Sequence, residues 1–173
     1  MTKFTQEQVD NLNSTIKTTE EALQWVSDNL HPKVAKASSF GAEDAVVMDI
    51  MLKINPNFRF FTLDTGRLPQ ETYDIMDIVR KKYNISIEVL FPDTKEVEEM
   101  VKEKGMNLFY ESVDNRKQCC EIRKVHPMNK MLNTLDGWIT GLRRDQTKNR
   151  EDVTIFQLDH GHGGILKINP IVD

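Results

Sequence analysis

Lys33-Val34-Ala35-Lys36-Ala37-Ser38-Ser39-Phe40-Gly41-Ala42-Glu43-Asp44 is the stretch from which the fold can be read. Residues 33–38 read as a short strand, 38–41 as a turn and 42–54 as a helix. That helix is apolar at Ala45, Val46, Val47, Met48, Ile50, Met51 and Leu52, so burial on most of its faces is expected. The unit then repeats. A strand is expected over 58–63, and a helix over 68–83 with Thr72, Ile75, Met76, Val79 and Tyr83 on one stripe. A strand over 85–91 and a charged, exposed helix over 94–104 follow. Residues 114–132 read as helical with an interruption near Pro127, and 137–142 as a strand. Segments 153–158 and 165–168 suit an antiparallel pair around His160-Gly161-His162-Gly163-Gly164.

Upstream, Val9, Leu12 and Ile16, then Leu23, Val26 and Leu30, have the spacing of two amphipathic helices within residues 1–32. Alternating strands and helices predict the α/β class: a mostly parallel sheet with helices on both faces, preceded by an N-terminal helical segment. With no repeat, low-complexity tract or Gly/Ser linker, residues 1–173 read as a single domain.

No run approaches the roughly 18 apolar residues of a membrane span. The first residues, Met-Thr-Lys-Phe-Thr-Gln-Glu, do not open a signal peptide, so a cytoplasmic protein is expected. The net charge of −4 hides an asymmetry. Between Arg116 and Arg150 nine Lys/Arg face three acids, a net of +6 that leaves −10 on the rest. A basic segment in an acidic chain suits a compact anionic ligand better than a nucleic acid.

In parallel sheets ligands bind beyond the carboxyl ends of the strands, which selects three loops. In the first, Ser38, Ser39 and Gly41 precede a helix, and a helix N-terminus offers free N–H groups and a positive dipole end to a phosphate. It is neither a Walker loop nor a G-x-G-x-x-G turn. A plain capped turn fits the same residues. The second, Leu63-Asp64-Thr65-Gly66-Arg67, is a tight turn that would leave Leu63 backbone groups to a flat ring and set Arg67 near the mouth, although taken alone it reads better as a plain βα turn. The third runs from Gly141 through Arg143 and Arg144 to Lys148 and Arg150. Crowded arginines repel unless an anion or carboxylates neutralise them, and guanidinium groups grip phosphate or sulfate bidentately.

The only cysteines are the neighbours Cys119 and Cys120. Adjacent residues make a poor structural disulfide. Arg116, Lys117, Arg123 and Lys124 flank them, and nearby cations favour thiolate, the form that ligates metal.

With these residues assembled, the chain resembles the adenylyl-sulfate and phosphoadenylyl-sulfate reductase family from about Lys33 onward. The likeness rests on Ser-x-x-Gly-Ala-Glu-Asp (38–44), Leu-Asp-Thr-Gly-Arg-Leu-Pro-Gln-Glu-Thr-Tyr (63–73), Cys-Cys-Glu-Ile-Arg-Lys-Val-x-Pro (119–127), Thr-Gly-Leu-Arg-Arg-Asp-Gln (140–146) and Lys-Ile-Asn-Pro (167–170). The resemblance implies an adenine-nucleotide hydrolase-like fold related to the PP-loop ATP pyrophosphatases. It implies that Ser38, Ser39 and Gly41 face the phosphosulfate, that Leu63 and Gly141 lend backbone groups to adenine, and that Lys124, Arg143, Arg144 and Arg150 surround the anion. It further implies thioredoxin-dependent reduction of adenylyl sulfate, or of its 3′-phosphorylated form, to sulfite in sulfate assimilation. In that chemistry a cysteine thiolate attacks the sulfur, AMP leaves, and a thiol reductant such as thioredoxin frees sulfite from the S-sulfocysteine. Cys119 and Cys120 would supply two ligands of a [4Fe–4S] cluster.

The family's later Cys-x-x-Cys and its nucleophilic Glu-Cys-Gly segment do not occur in this sequence. Three expectations follow. The chain is a truncated reductase that keeps nucleotide binding; or it is a non-catalytic binding module completed by a separate chain bearing the missing cysteines; or it is a PP-loop ATP pyrophosphatase or transferase. A homo-oligomer is a further candidate partnership. Against the last stands the Glu43-Asp44 pair, whose charges would repel a triphosphate. His160 and His162 are poor candidates to complete a metal site, because they fall on a hairpin turn.

Overall fold

The computed structural model describes residues 4–146 and 152–172. Two short helices come first, α1 (Gln6–Thr15) and α2 (Thr19–Leu30). Each opens on a reciprocal capping box, Thr5 with Gln8 and Thr18 with Glu21, which satisfies the first N–H groups of the helix. Then follow β1 (Val34–Ala37), α3 (Ala42–Ile54), β2 (Arg59–Leu63), α4 (Gln70–Tyr83), β3 (Ile87–Leu90) and α5 (Thr94–Lys104). The second half holds α6 (Val113–Cys120), α7 (His126–Leu132), β4 (Gly137–Ile139), β5 (Phe156–Asp159) and β6 (Ile165–Ile168).

The strands form one sheet in the order β3-β2-β1-β4-β6-β5. All neighbours are parallel except β5, which pairs antiparallel with β6. Period-two alternation sends Val34, Phe60 and Ile139 to one face, where Leu23, Val26, Val47 and Met51 of α2 and α3 cover them. Ala35, Phe61 and Trp138 point to the other face, against Met131 and Leu132 of α7. The layered architecture expected from the sequence is therefore the one observed. β5 lies at the sheet edge, and the Asn13 amide of α1 bonds both backbone groups of Phe156, at 2.8 and 3.0 Å. That side chain occupies the edge as a further strand would.

Some local expectations change. Helix α3 is not buried all round: Ala45 is exposed, and Val46 is 52% exposed. α4 begins at Gln70 rather than 68, because Pro69 is its extended N-cap. Residues 113–132 run without a break, but the turn Glu121–Val125 is π-helical, with the His126 N–H donating to the Glu121 carbonyl. Pro127 follows directly. In a regular helix its ring would collide with the carbonyl four residues back, and a widened turn relieves that clash. The predicted interruption is thus a bulge inside a continuous helical run.

Candidate functional site

The turn after β1 is held in a demanding conformation. Phe40 has φ +62°, a region costly for a bulky residue, while its ring is buried in the core. Its N–H donates to Ser38 Oγ at 3.1 Å, so the Ser38 hydroxyl supports the turn from within. Gly41 is the N-cap of α3 and supplies no side-chain cap, which leaves the helix's positive end open. Asp44, in the first turn of α3, is buried. Its Oδ2 accepts from the Ser39 N–H at 2.6 Å and the Ser39 hydroxyl at 2.9 Å, and its Oδ1 meets Lys36 Nζ. Lys36 lies on β1 and is 0% exposed. Burial alone would raise the Asp44 pKa, but the Lys36 charge and the Lys36 and Ser39 hydrogen bonds outweigh it and hold the carboxyl below the usual range. Burial lowers the Lys36 pKa against the pull of Asp44.

In the second loop, Asp64 Oδ1 accepts from the Gly66 N–H at 2.8 Å and from the Tyr73 hydroxyl at 3.0 Å, with Gly66 at φ +70°. This is an Asx turn. Arg67 does not reach the cleft. It donates to the Met106 carbonyl and Asn107, and its guanidinium stacks over Phe109 at 4.7 Å. In the third loop, Gly141 lies so close to the first that a Cβ there would sit 2.8 Å from Asp44 Oδ1. Arg143 pairs with Glu43 at 3.5 Å and with Asp145 at 3.3 Å. Hydrogen bonds from its own backbone N–H and from Gln146, then the Arg143 charge, hold the Glu43 carboxyl below its ordinary value. Arg144 Nε donates to the Val153 carbonyl at 2.7 Å.

These loops flank a cleft of about 680 Å³ at the carboxyl ends of the strands. It lies where the chain order reverses between β1 and β4, the usual ligand position in such sheets. Ser38, Ser39, Gly41, Leu63, Gly141 and Lys124 all line it. Arg143 and Arg144 are not among the lining residues: Arg143 is engaged with carboxylates and Arg144 with backbone, and Arg150 falls outside the described residues. Sequence reading missed Trp138, Gln146 and Lys167 as lining residues. The Lys167 ammonium sits 5.3 Å from the Trp138 ring centre. Trp138 and Lys167 occupy directly paired positions of β4 and β6, a relation that only strand register reveals.

A second cavity, also about 680 Å³, is lined by Arg67, Tyr110, Arg116, Cys119, Cys120 and Arg123. Thr65 and Lys124 belong to both cavities. The π-helical turn makes this possible. It sends Arg123 inward, where Nη1 donates to the Thr65 carbonyl at 2.6 Å, and aims Lys124 at the shared wall. The thiols differ: Cys120 is exposed, whereas Cys119 is 9% exposed and packs against Met100 and Leu108. The polar surroundings expected for both therefore hold for Cys120 alone. A four-iron cluster generally takes four protein ligands. Cys119 and Cys120 offer two, and among the described residues no group of three or more His, Cys, Asp or Glu could hold a metal ion. The donors among the described residues do not complete that set. His160 and His162 sit on the turn between β5 and β6, where His162 bonds Asp159 at 2.9 Å.

Fold and switch-point cleft together define an α/β protein with a mostly parallel sheet and a candidate ligand site at its strand ends. The phosphoadenosine phosphosulfate reductase domain model matches residues 33–173, and the chain belongs to that family. Among relatives, an adenosine 5′-phosphosulfate reductase from Burkholderia cepacia is 42% identical over 143 residues, 83% of this chain and 57% of that protein. A chloroplastic 5′-adenylylsulfate reductase 1 from Arabidopsis thaliana is 42% identical over 141 residues, 77% of this chain and 30% of that protein. The chain thus spans 57% of the first of these relatives and 30% of the second. The solved phosphoadenylyl-sulfate reductase of Candida auris, a phosphate complex, superposes with a TM-score of 0.81 at 26% identity, covering 98% of this chain and 81% of that one. An FMN adenylyltransferase of Candida glabrata, in complex with ATP, shares the fold alone, with a TM-score of 0.58 at 11% identity, 96% of this chain and 51% of that one.

Proposed function

We propose that these residues form the substrate-binding part of a sulfonucleotide reductase. The cleft takes adenylyl sulfate or its 3′-phosphorylated form, with adenine against the Leu63 and Gly141 backbones and the anion over Ser38, Ser39 and Gly41. The observation that carries this reading is the wall shared by the two cavities. Lys124 faces both the cleft and the thiol cavity, so one cation can serve the phosphosulfate and the approach of an anionic sulfur nucleophile. Arg143 acts indirectly, by offsetting the charge of Glu43.

In the reaction the family carries out, a thiolate sulfur bonds to the sulfate sulfur as the S–O bond to AMP breaks. A dithiol such as thioredoxin then reduces the S-sulfocysteine to sulfite and becomes a disulfide. The resemblance places the attacking thiolate on a Glu-Cys-Gly segment that the sequence does not contain. Binding and charge neutralisation are the roles assigned to this chain. Cys119 and Cys120 stand as half the ligand set of the cluster that the resemblance implies.

The Glu43-Asp44 pair is a weaker argument against ATP than its charges suggest, since Arg143 and Lys36 pair with both carboxylates. Family membership favours the sulfonucleotide. No described helix is long and apolar enough to cross a membrane. Lys124→Ala is expected to weaken adenylyl sulfate binding about tenfold while changing adenosine binding less than about twofold, as measured by calorimetric titration. Equal loss for both ligands, or formation of AMP and pyrophosphate from ATP by the wild-type chain, would count against the assignment.

A further inference from the structure

We propose that Lys36 is a positioning residue for anion binding. Resting on the sulfonucleotide reading above, this holds that its buried ammonium cancels the charge of Asp44 beneath the Ser39 turn. The N-terminal end of α3 then remains attractive to a phosphosulfate.

Lys36 occupies the middle of a short apolar strand and is 0% exposed, a state lysine adopts almost only when paired. Its ammonium meets Asp44 and the Ala37 carbonyl. Asp44 in turn lines the cleft, holds the Ser39 backbone and hydroxyl, and sets the closeness of Gly141. One carboxylate therefore fixes the relation of the β1 loop to the β4 loop. Uncompensated, that carboxylate would stand in the first turn of the helix whose open end receives the anion, and it would repel it. Glu43, its neighbour, is matched from the exposed side by Arg143. The buried carboxylate of Asp44 has Lys36 of β1 as its cationic partner.

A buried ion pair is a poor way to gain stability, and replacing both partners by neutral residues of similar size is often neutral or stabilising. The pair is better explained by the site above it.

The test is a calorimetric titration of the whole chain with adenylyl sulfate and, separately, with adenosine. The readout is the preference for the anionic ligand. K36M, which leaves the carboxylate unopposed, is expected to lower that preference about tenfold with adenosine affinity within about twofold of wild type. Because Asp44 also holds Ser39, D44N is expected to cost some adenylyl sulfate affinity, but K36M/D44N is expected to recover at least about threefold of the preference lost in K36M. A parallel loss of both ligands in K36M, or an unchanged preference, overturns the proposal. Should K36M not fold, D44N and the double variant decide: with the Asp44 charge removed, Met in place of Lys36 is expected to change the preference less than about threefold, and a larger loss overturns the proposal. A wild-type chain with no preference for adenylyl sulfate over adenosine defeats the functional reading itself, and this inference with it.

Discussion

Gly141 shows how a single residue sets the spacing of the cleft. Its missing side chain lets the loop after β4 approach the loop after β1, and a methyl group there would lie 2.8 Å from Asp44 Oδ1, inside any tolerable contact. Asp44 cannot yield, since Lys36 and Ser39 hold it. Gly141→Ala is therefore expected to cost about 1–3 kcal/mol of stability, as overpacking does. It should also weaken adenylyl sulfate binding at least about tenfold, measured by denaturant unfolding and by titration. Ser38, Ser39, Gly41 and Lys124 were legible because their motifs announce them. Lys36 carried a weaker signal, a lysine inside Val-Ala-x-Ala with an aspartate eight residues on, and its partner is clear only once strand and helix are set side by side. Arg143 and Arg144 were expected at the anion because arginines repel. Carboxylate partners satisfy the same physics, and Glu43 and Asp145 provide them for Arg143.

At the scale of elements, the π-helical turn Glu121–Val125 decides which side chains meet the cleft. Its position beside Pro127 was readable as a disturbance, but a proline alone does not distinguish a break from a bulge. The turn is tied to α5 through His126, whose Nδ1 lies 2.8 Å from Glu96 Oε2, with Glu121 3.8 Å from its other nitrogen. The Glu96 hydrogen bond, offset slightly by desolvation and aided by both carboxylate charges, raises the His126 pKa. A pKa raised on folding contributes stability that is complete below the unfolded value and lost as pH rises through the folded one. Stability is thus expected to fall slightly as pH rises from about 6.5 into the weakly alkaline range. Glu96→Gln should flatten that slope in urea unfolding curves recorded across the same pH range. At the other edge of the sheet, Asn13→Ala removes both bonds to Phe156. A loss of about 1–3 kcal/mol is expected by denaturant unfolding, with adenylyl sulfate affinity unchanged, since α1 is remote from the cleft-lining residues.

For the whole molecule, the alternation of strand and helix was enough to give the layers, the cleft at the strand ends and the antiparallel close. The switch point between β1 and β4 was not legible, because strand order depends on which non-local pairings win, and no local pattern encodes that. Nor was the joining of the two cavities at Thr65 and Lys124, which brings together residues 59 positions apart. The proposed function puts a sulfonucleotide in the cleft with its anion at the amino end of α3. A crystal structure of this chain grown with adenylyl sulfate tests that placement directly. The nucleotide is expected in the cleft, with its phosphosulfate over Ser39 and Gly41 and within reach of Lys124. Nucleotide bound elsewhere, or reversed so that adenine lies over the Ser39–Gly41 turn, would contradict it.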